Sequence, residues 1–336
     1  MKPTIVIPLG DVAGIGPEIV VKALKHPEIT QWCNPLVVGE RSCLERAMKH
    51  TGVDLTVTTV EAAEKLECRE GSILLFDAHN ISADEVREGE VSAKAGRAAF
   101  EFIEKSADLL KQGIGDAITT TPINKEALHA AQVPFIGHTE ILASLFDAQD
   151  PMTMFQVQSL RVFFLSRHLS LRQACDYVTE EHVYSFLKRS YAALSGLISV
   201  ETPRVAVAGL NPHCGEHGLF GNEEVRHIVP AIERACQEGM DIVGPIGADS
   251  VFHEALAGTY DAVISLYHDQ GHIATKMVDF ERTISLTLGL PYLRTSVDHG
   301  TAFNIAGKNL ASEISLVEAI RLAALYAPKY RKAFTG

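Results

Sequence analysis

The sequence predicts a protein of two α/β domains, each a largely parallel sheet covered by helices, and three observations carry that expectation. Short apolar runs of strand length alternate with longer runs of helical period along most of the chain. Alternation of this order gives βα units rather than a sandwich or a bundle. At 336 residues the chain exceeds the size at which a single core stops growing, so two domains are expected. Polar stretches carrying glycine or histidine follow several apolar runs, where α/β sheets present their ligand-binding loops.

In order, Thr4–Pro8 reads as the first strand. The next stretch, GDVAGIGPE (residues 10–18), turns into a helix running to about Leu24, with Pro17 suited to its first position. Such a loop can bind a phosphate or carboxylate at the helix N-terminus, or serve only to pack the helix on its strand. It matches neither G-x-G-x-x-G nor a P-loop. Leu36–Val38 and Ser72–Phe76 read as strands, Ser92–Lys111 as a long amphipathic helix, and Asp116–Thr121 as a buried strand leading through Pro122 to another helix. The domain change is expected near Pro134–Gly137, so that 1–136 with 295–336 form a first, cofactor-side domain and 137–294 a second. Beyond it come a hairpin over 153–165, a helix over 180–198, a strand over 204–210, a helix over 222–238 and strands over 241–246 and 261–266. Thr283–Leu288 is another strand, after which Gly289-Leu290-Pro291 turn the chain toward Arg294. A last amphipathic helix, about Ile314–Leu325, docks back on the first domain.

Composition narrows function. A formal charge of −12, without basic runs, speaks against nucleic acid and against an acidic membrane surface. No apolar run approaches a bilayer span and no signal peptide opens the chain, so a cytoplasmic protein is expected. Six scattered cysteines without a C-x-x-C pair argue against a disulfide framework and a thiolate zinc site.

Three apolar runs each end on a histidine: Val162–Leu165 before His168, Arg204–Leu210 before His213, and Ala262–Leu266 before His268. Three neutral imidazoles at strand ends suit an open site for Zn, Co, Ni or Fe that leaves room for substrate oxygens. The chain also carries His217, His253 and His272, and a mixed site using Asp249 or Asp269 stays open. A second set, Lys276 and Arg294 with His138 and Thr139, has the donors of a phosphate or carboxylate cradle if the fold brings them to one cleft. A third, the glycine-punctuated loop Asp298–Lys308, is denser in polar groups than a plain turn. There is no hydrolase signature of the G-x-S-x-G kind.

GDVAGIGPE, TPINKEAL, GHTE, NPHCGEHGLFGNEE, YHDQGH and RTSVDHGTAFNIAGK occur in this order over Gly10–Lys308. Together they resemble the 4-hydroxythreonine-4-phosphate dehydrogenase family, which includes relatives acting on the 4-phosphates of D-threonate and D-erythronate. The resemblance implies a fold similar to isocitrate and isopropylmalate dehydrogenases, with two α/β domains, a cleft between them, and a homodimer whose active site is shared across the interface. It implies one divalent metal (Zn, Co, Mg, Mn or Ni) on His168, His213 and His268, one of them reaching across the dimer. It assigns substrate contacts to His138, Thr139, Lys276, Ser285 and Arg294, and acidic groups near the substrate to Asp249 and Asp269. The loop carrying His299, Gly300, Ala302, Asn304 and Gly307 resembles the adenosine-binding loop of the β-decarboxylating enzymes, which implies NAD. Two departures stand out. Val12 replaces the usual Pro, and Ser285 stands where the vitamin B6 enzyme has a substrate-binding Asn. With residues 272–275 and 279–282, the second departure leans toward the sugar-acid phosphate branch rather than pyridoxal phosphate synthesis.

The implied reaction is oxidation of a 3-hydroxy acid 4-phosphate by NAD to a β-keto acid, followed by loss of CO₂. Asp249, Asp269 and Lys276 remain equal candidates for the general base. The competing class is a non-catalytic metal- or phosphate-binding protein on the same fold.

Overall fold

The structure is a computed structural model describing residues 2–61 and 66–335. The chain divides into two units, Met1–Pro151 with Ile284–Gly336, and Met152–Thr283.

The first unit runs β1 (Thr4–Pro8), α1 (Gly16–Leu24), α2 (Pro27–Trp32), β2 (Asn34–Gly39), α3 (Arg41–Thr51), β3 (Thr56–Thr59), β4 (Ser72–Asp77), α4 (Ala93–Lys111), β5 (Ala117–Thr120), α5 (Lys125–Ala130) and α6 (His138–Leu145). The second holds β6 (Met152–Val157), β7 (Leu160–Phe164), α7 (Leu171–Tyr177), α8 (Glu180–Leu197), β8 (Val205–Ala208), α9 (Val229–Gln237), β9 (Ile242–Ile246), α10 (Val251–Leu256), β10 (Ala262–Ser265) and α11 (His268–Val278). The chain then returns to the first unit with β11 (Ile284–Leu288), β12 (Leu293–Ser296) and α12 (Ile314–Thr335).

Strand order in the first unit is β3-β4-β2-β1-β5-β12-β11, parallel except for β11, which runs against β12. β1 and β5 are buried along their whole length, as strands covered on both faces must be. From β1 the chain moves outward to β2 and β4, then returns across to β5, so the order reverses between β1 and β5. That reversal is where open α/β sheets bind ligands. In the second unit the order is β6-β7-β10-β8-β9, parallel except for the β6–β7 hairpin. Phe155, Val162, Phe164, Val251 and Val263 form its core.

Local chemistry explains the element ends. Ser92 accepts from the Ala95 amide at the start of α4, and Asn124 from the Ala127 amide at the start of α5. The helix expected over 222–238 opens instead as a π turn, Glu224–Ile228, before α9, because Pro230 has no N–H to return to the preceding turn. The terminal helix reaches ten residues beyond the expected Leu325, through Pro328.

The border between units differs from the one expected near 137 and 294. α6 packs on α4, and β12 pairs with β5 as well as β11. Residues 137–151 and 284–294 therefore belong with the first sheet, and His138, Thr139, Ser285 and Arg294 go with them.

At the reversal, Thr121 Oγ1 donates to the Pro8 carbonyl at 2.8 Å and the Asp11 amide to the Pro122 carbonyl at 3.0 Å. Gly10 between them has φ +72°, and a Cβ there would stand 2.4 Å from Thr121 Oγ1 and 2.5 Å from the Pro122 oxygen. Gly10→Ala should cost about 2–4 kcal/mol from left-handed strain plus overpacking. Urea unfolding will show this as a lowered midpoint at unchanged slope.

Candidate functional site

In the first unit the strongest chemistry sits on β12. Arg294 is only 6% exposed; its Nε donates to Thr120 Oγ1 and its Nη1 to Thr287 Oγ1, both at 3.0 Å. The β11–β12 register places Arg294 opposite Thr287 and Ser285 opposite Ser296, so Ser285 and Arg294 share a face of the sheet. His138 opens α6, with Thr139 next in the first turn. Burial first, and the Arg294 charge second, hold the His138 imidazole well below its usual range, against a backbone hydrogen bond at Thr121 that acts the other way. His138 is therefore neutral at physiological pH, and its Nε2 is shielded from solvent with no hydrogen-bond partner. A buried guanidinium, a neutral imidazole and a helix N-terminus together favour an anion.

The loop after β12 carries the residues expected to meet the cofactor. His299, Ala302 and Gly307 are half-buried, Gly300 and Asn304 exposed. The loop is tied to the first one: the Ile15 amide donates to the Thr301 carbonyl at 3.1 Å, and a Cβ on Gly14 would stand 2.8 Å from Thr301. These contacts are those of a turn that packs α1 on its strand, one of the two readings open for GDVAGIGPE. The amides of Asp11, Ala13, Gly14 and Ile15 are all spent inside the protein, on Pro122 O, Asp11 Oδ1, Asp11 O and Thr301 O.

In the second unit, β7, β10 and β8 are consecutive neighbours running the same way, so His168, His268 and His213 leave from one edge. Asp249 follows β9, next in the row, and its charge helps raise the Cys214 thiol, after burial and Glu224. His268 Nδ1 lies 2.6 Å from Asp269 Oδ1, and its ring stacks on His272 at 3.9 Å. Asp269 can thus accept from Nδ1–H and leave the Nε2 lone pair facing outward, as the usual second partner of a metal-bound histidine does. Lys276 lies two turns further along α11 on the same face, 5.1 Å from the Phe280 ring centroid. The three imidazoles do not gather within one chain. Among the described residues, the donor atoms within 4.8 Å of one another belong to Glu40, Asp77 and His79.

His213 begins an unusual turn. His213, Cys214, Gly215, Glu216 and His217 all have φ between 45° and 75° and ψ between −3° and 56°, a left-handed helical turn with one glycine. For the four side-chain-bearing residues this conformation costs on the order of 4–8 kcal/mol, so neighbours must hold it.

Compared with known proteins, residues 31–323 match the family model described as "Pyridoxal phosphate biosynthetic protein PdxA". The chain belongs to that family. Over 331 residues it is 56% identical to a Clostridium botulinum protein named "Putative D-threonate 4-phosphate dehydrogenase", covering 98% of this chain and 99% of that one. The Klebsiella pneumoniae 4-hydroxythreonine-4-phosphate dehydrogenase structure superposes with TM-score 0.89 at 37% identity, covering 97% and 98% of the two chains. The Burkholderia phymatum one gives 0.86 at 40%, covering 97% and 99%. As a member of the PdxA family the protein is an oxidoreductase of the dehydrogenase type, which implies a nicotinamide cofactor. Among the described residues no helix is long and apolar enough to cross a membrane.

Several polar residues near these elements had no role in the sequence reading. Thr120 and Thr287, which hold Arg294, lay inside strands. Glu40 follows β2 and Asp77 ends the neighbouring β4, and burial and then Asp77 raise the Glu40 carboxyl. Glu224 is the buried carboxylate beneath the His213 turn. Asp11 is fully buried, its Oδ1 accepting from the Ala13 amide at 2.8 Å and its Oδ2 unpartnered. Burial raises the Asp11 carboxyl from 3.8 to about 6, against that hydrogen bond.

The folded chain therefore holds an extra proton on Asp11 between about pH 4 and pH 6, and this group's share of stability falls as pH rises through that window. Asp11→Asn keeps an acceptor for Ala13 and removes the penalty. It should match the parent near pH 4 and exceed it by about 1–3 kcal/mol above pH 7, read by urea titrations at both pH values.

Proposed function

We propose that this chain uses NAD to oxidise and decarboxylate a four-carbon 3-hydroxy acid bearing a 4-phosphate, D-threonate 4-phosphate or D-erythronate 4-phosphate, to dihydroxyacetone phosphate and CO₂. The observation that carries the reading is the buried Arg294 beside neutral His138 at the start of α6. Such a cradle suits a substrate anion, and the name of the 56%-identical relative agrees in substrate class.

The substrate hydroxyl sits β to a carboxylate, so hydride loss from its carbon to NAD leaves a β-keto acid that sheds CO₂. Asp249, Asp269 and Lys276 are the candidates to take the hydroxyl proton and to return one to the carbon that loses CO₂. The Asp269–His268 pairing and the row of strand-end imidazoles fit a divalent cation on His168, His213 and His268, one of them from the partner subunit of a homodimer. When bound, that cation polarises the hydroxyl and neutralises the enolate charge. The loop holding His299, Gly300, Ala302, Asn304 and Gly307 takes the adenosine of NAD. Arg294, His138, Thr139 and Ser285 orient the anionic substrate, whose remote phosphate supplies binding energy for the reacting carbon.

NADH formation with D-threonate 4-phosphate and with 4-hydroxy-L-threonine 4-phosphate tests the reading, with kcat/KM expected to favour the first by roughly tenfold or more, about 1.4 kcal/mol. A reversed ratio would support the vitamin B6 reaction, and no NADH from either would support a binding protein. Arg294→Ala should raise KM for the phosphorylated acid by roughly 100-fold while leaving NAD affinity within about twofold. Equal loss of both would remove the cradle assignment.

A further inference from the structure

We infer that Glu224 is the positioning residue of the His213 turn: a buried carboxylate that holds the imidazole in its ligating place without touching substrate or cation. The inference rests on His213 serving as a metal ligand, as proposed above.

Glu224 is 1% exposed, at the first position of the π turn before α9. Its Oε1 accepts from the Leu210 amide at 2.8 Å and the Asn211 amide at 2.7 Å, and its Oε2 from Asn211 Nδ2 at 2.9 Å. Those donors occupy the two residues where β8 gives way to Pro212-His213. Asn211 Nδ2 also reaches Glu223 Oε2 at 2.7 Å, and the Cys214 amide returns to the Asn211 carbonyl at 3.1 Å. Glu224 thus grips the stem of the turn, and it also closes the underside. A Cβ on Gly215, where φ is +75°, would stand 2.8 Å from Glu224 Oε2 and 2.7 Å from the Gly221 carbonyl.

Three donors converging on one carboxylate are needed because the turn is left-handed. Four of its residues carry side chains that disfavour this conformation, so an unsupported turn would relax and carry His213 away from its strand end. Carboxylates behind a metal-bound histidine commonly act on the imidazole itself; here the same ordering acts through the backbone two residues earlier.

Cobalt(II) titration of the metal-stripped full-length protein, followed by the visible absorption of the bound ion, tests this. Glu224→Ala should weaken cobalt binding by roughly 10–100-fold, and Glu224→Gln, which keeps one oxygen for the two backbone amides, should recover most of it. Gly215→Ala, which disturbs the turn from the other side, should weaken binding in the same range should Glu224→Ala fail to fold. A Glu224→Ala protein that unfolds cooperatively and binds cobalt as the parent does would overturn the inference, whatever its melting temperature. Should the parent itself bind no cobalt, the metal reading falls, and hydrogen exchange of residues 209–221 decides the positioning role. Faster exchange in Glu224→Ala supports it, and unchanged exchange overturns it.

Discussion

Parallel pairing is the constraint on which the rest depends. A parallel ladder sends every strand's outgoing loop to the same edge, and helices return the chain on the faces. In the first unit that edge collects the loops after β1, β2, β4, β5 and β12. They carry Asp11, Glu40, Asp77, Thr121 and the 298–308 stretch. In the second unit it collects His168, His268, His213 and Asp249 from four consecutive strands. Chemistry far apart in sequence comes to each edge because the hydrogen-bond direction leaves no alternative.

What could be read from the residues follows the same division. β1, β4, β5, β8 and β10 are apolar runs bounded by polar residues, and the sequence shows them as such. Histidines just beyond three runs were equally visible. Strand neighbours were not, because pairing of β12 with β5 joins residues 176 positions apart, as in the Thr119–Thr295 hydroxyl contact. That pairing, with β11 beside β12, takes residues 284–294 and so Arg294 into the first sheet, while α6 on α4 takes 137–151. β12 has four residues, LRTS, and no hydrophobic period to announce it. α11, HDQGHIATKMV, escaped notice because its Gly271 weakens the helical signal. Gly271 is required there: a Cβ would meet Phe164 at 2.5 Å and Ser265 at 2.7 Å.

Electrostatics was the least legible layer. The net charge of −12 says nothing about Arg294, a cation held almost out of solvent between threonine hydroxyls. Burying a guanidinium is tolerable only with its donors occupied, and the two threonine hydroxyls take two of them. After burial, the Arg294 charge helps hold His138 neutral. A neutral imidazole can donate to an anion without adding a second positive charge. Asp11 shows the converse: a carboxyl buried with a single donor stays protonated to about pH 6, so its charge is scarcely felt in acid.

The two sets of residues illustrate two ways of obtaining positional precision. Arg294 lies within a strand flanked by β5 and β11, where the ladder fixes its register against Ile118 and Thr287. His213 lies five residues past the end of β8, beyond any ladder, in a backbone conformation that its own side chains resist. A residue so placed is as precise as whatever holds its loop, and the buried carboxylate of Glu224 has the geometry to hold it. Placing a guanidinium on a strand suits the substrate-anion contact proposed for Arg294. Placing His213 on a braced loop suits the ligand role proposed for it, because a loop spans the strand spacing that the ladder itself cannot.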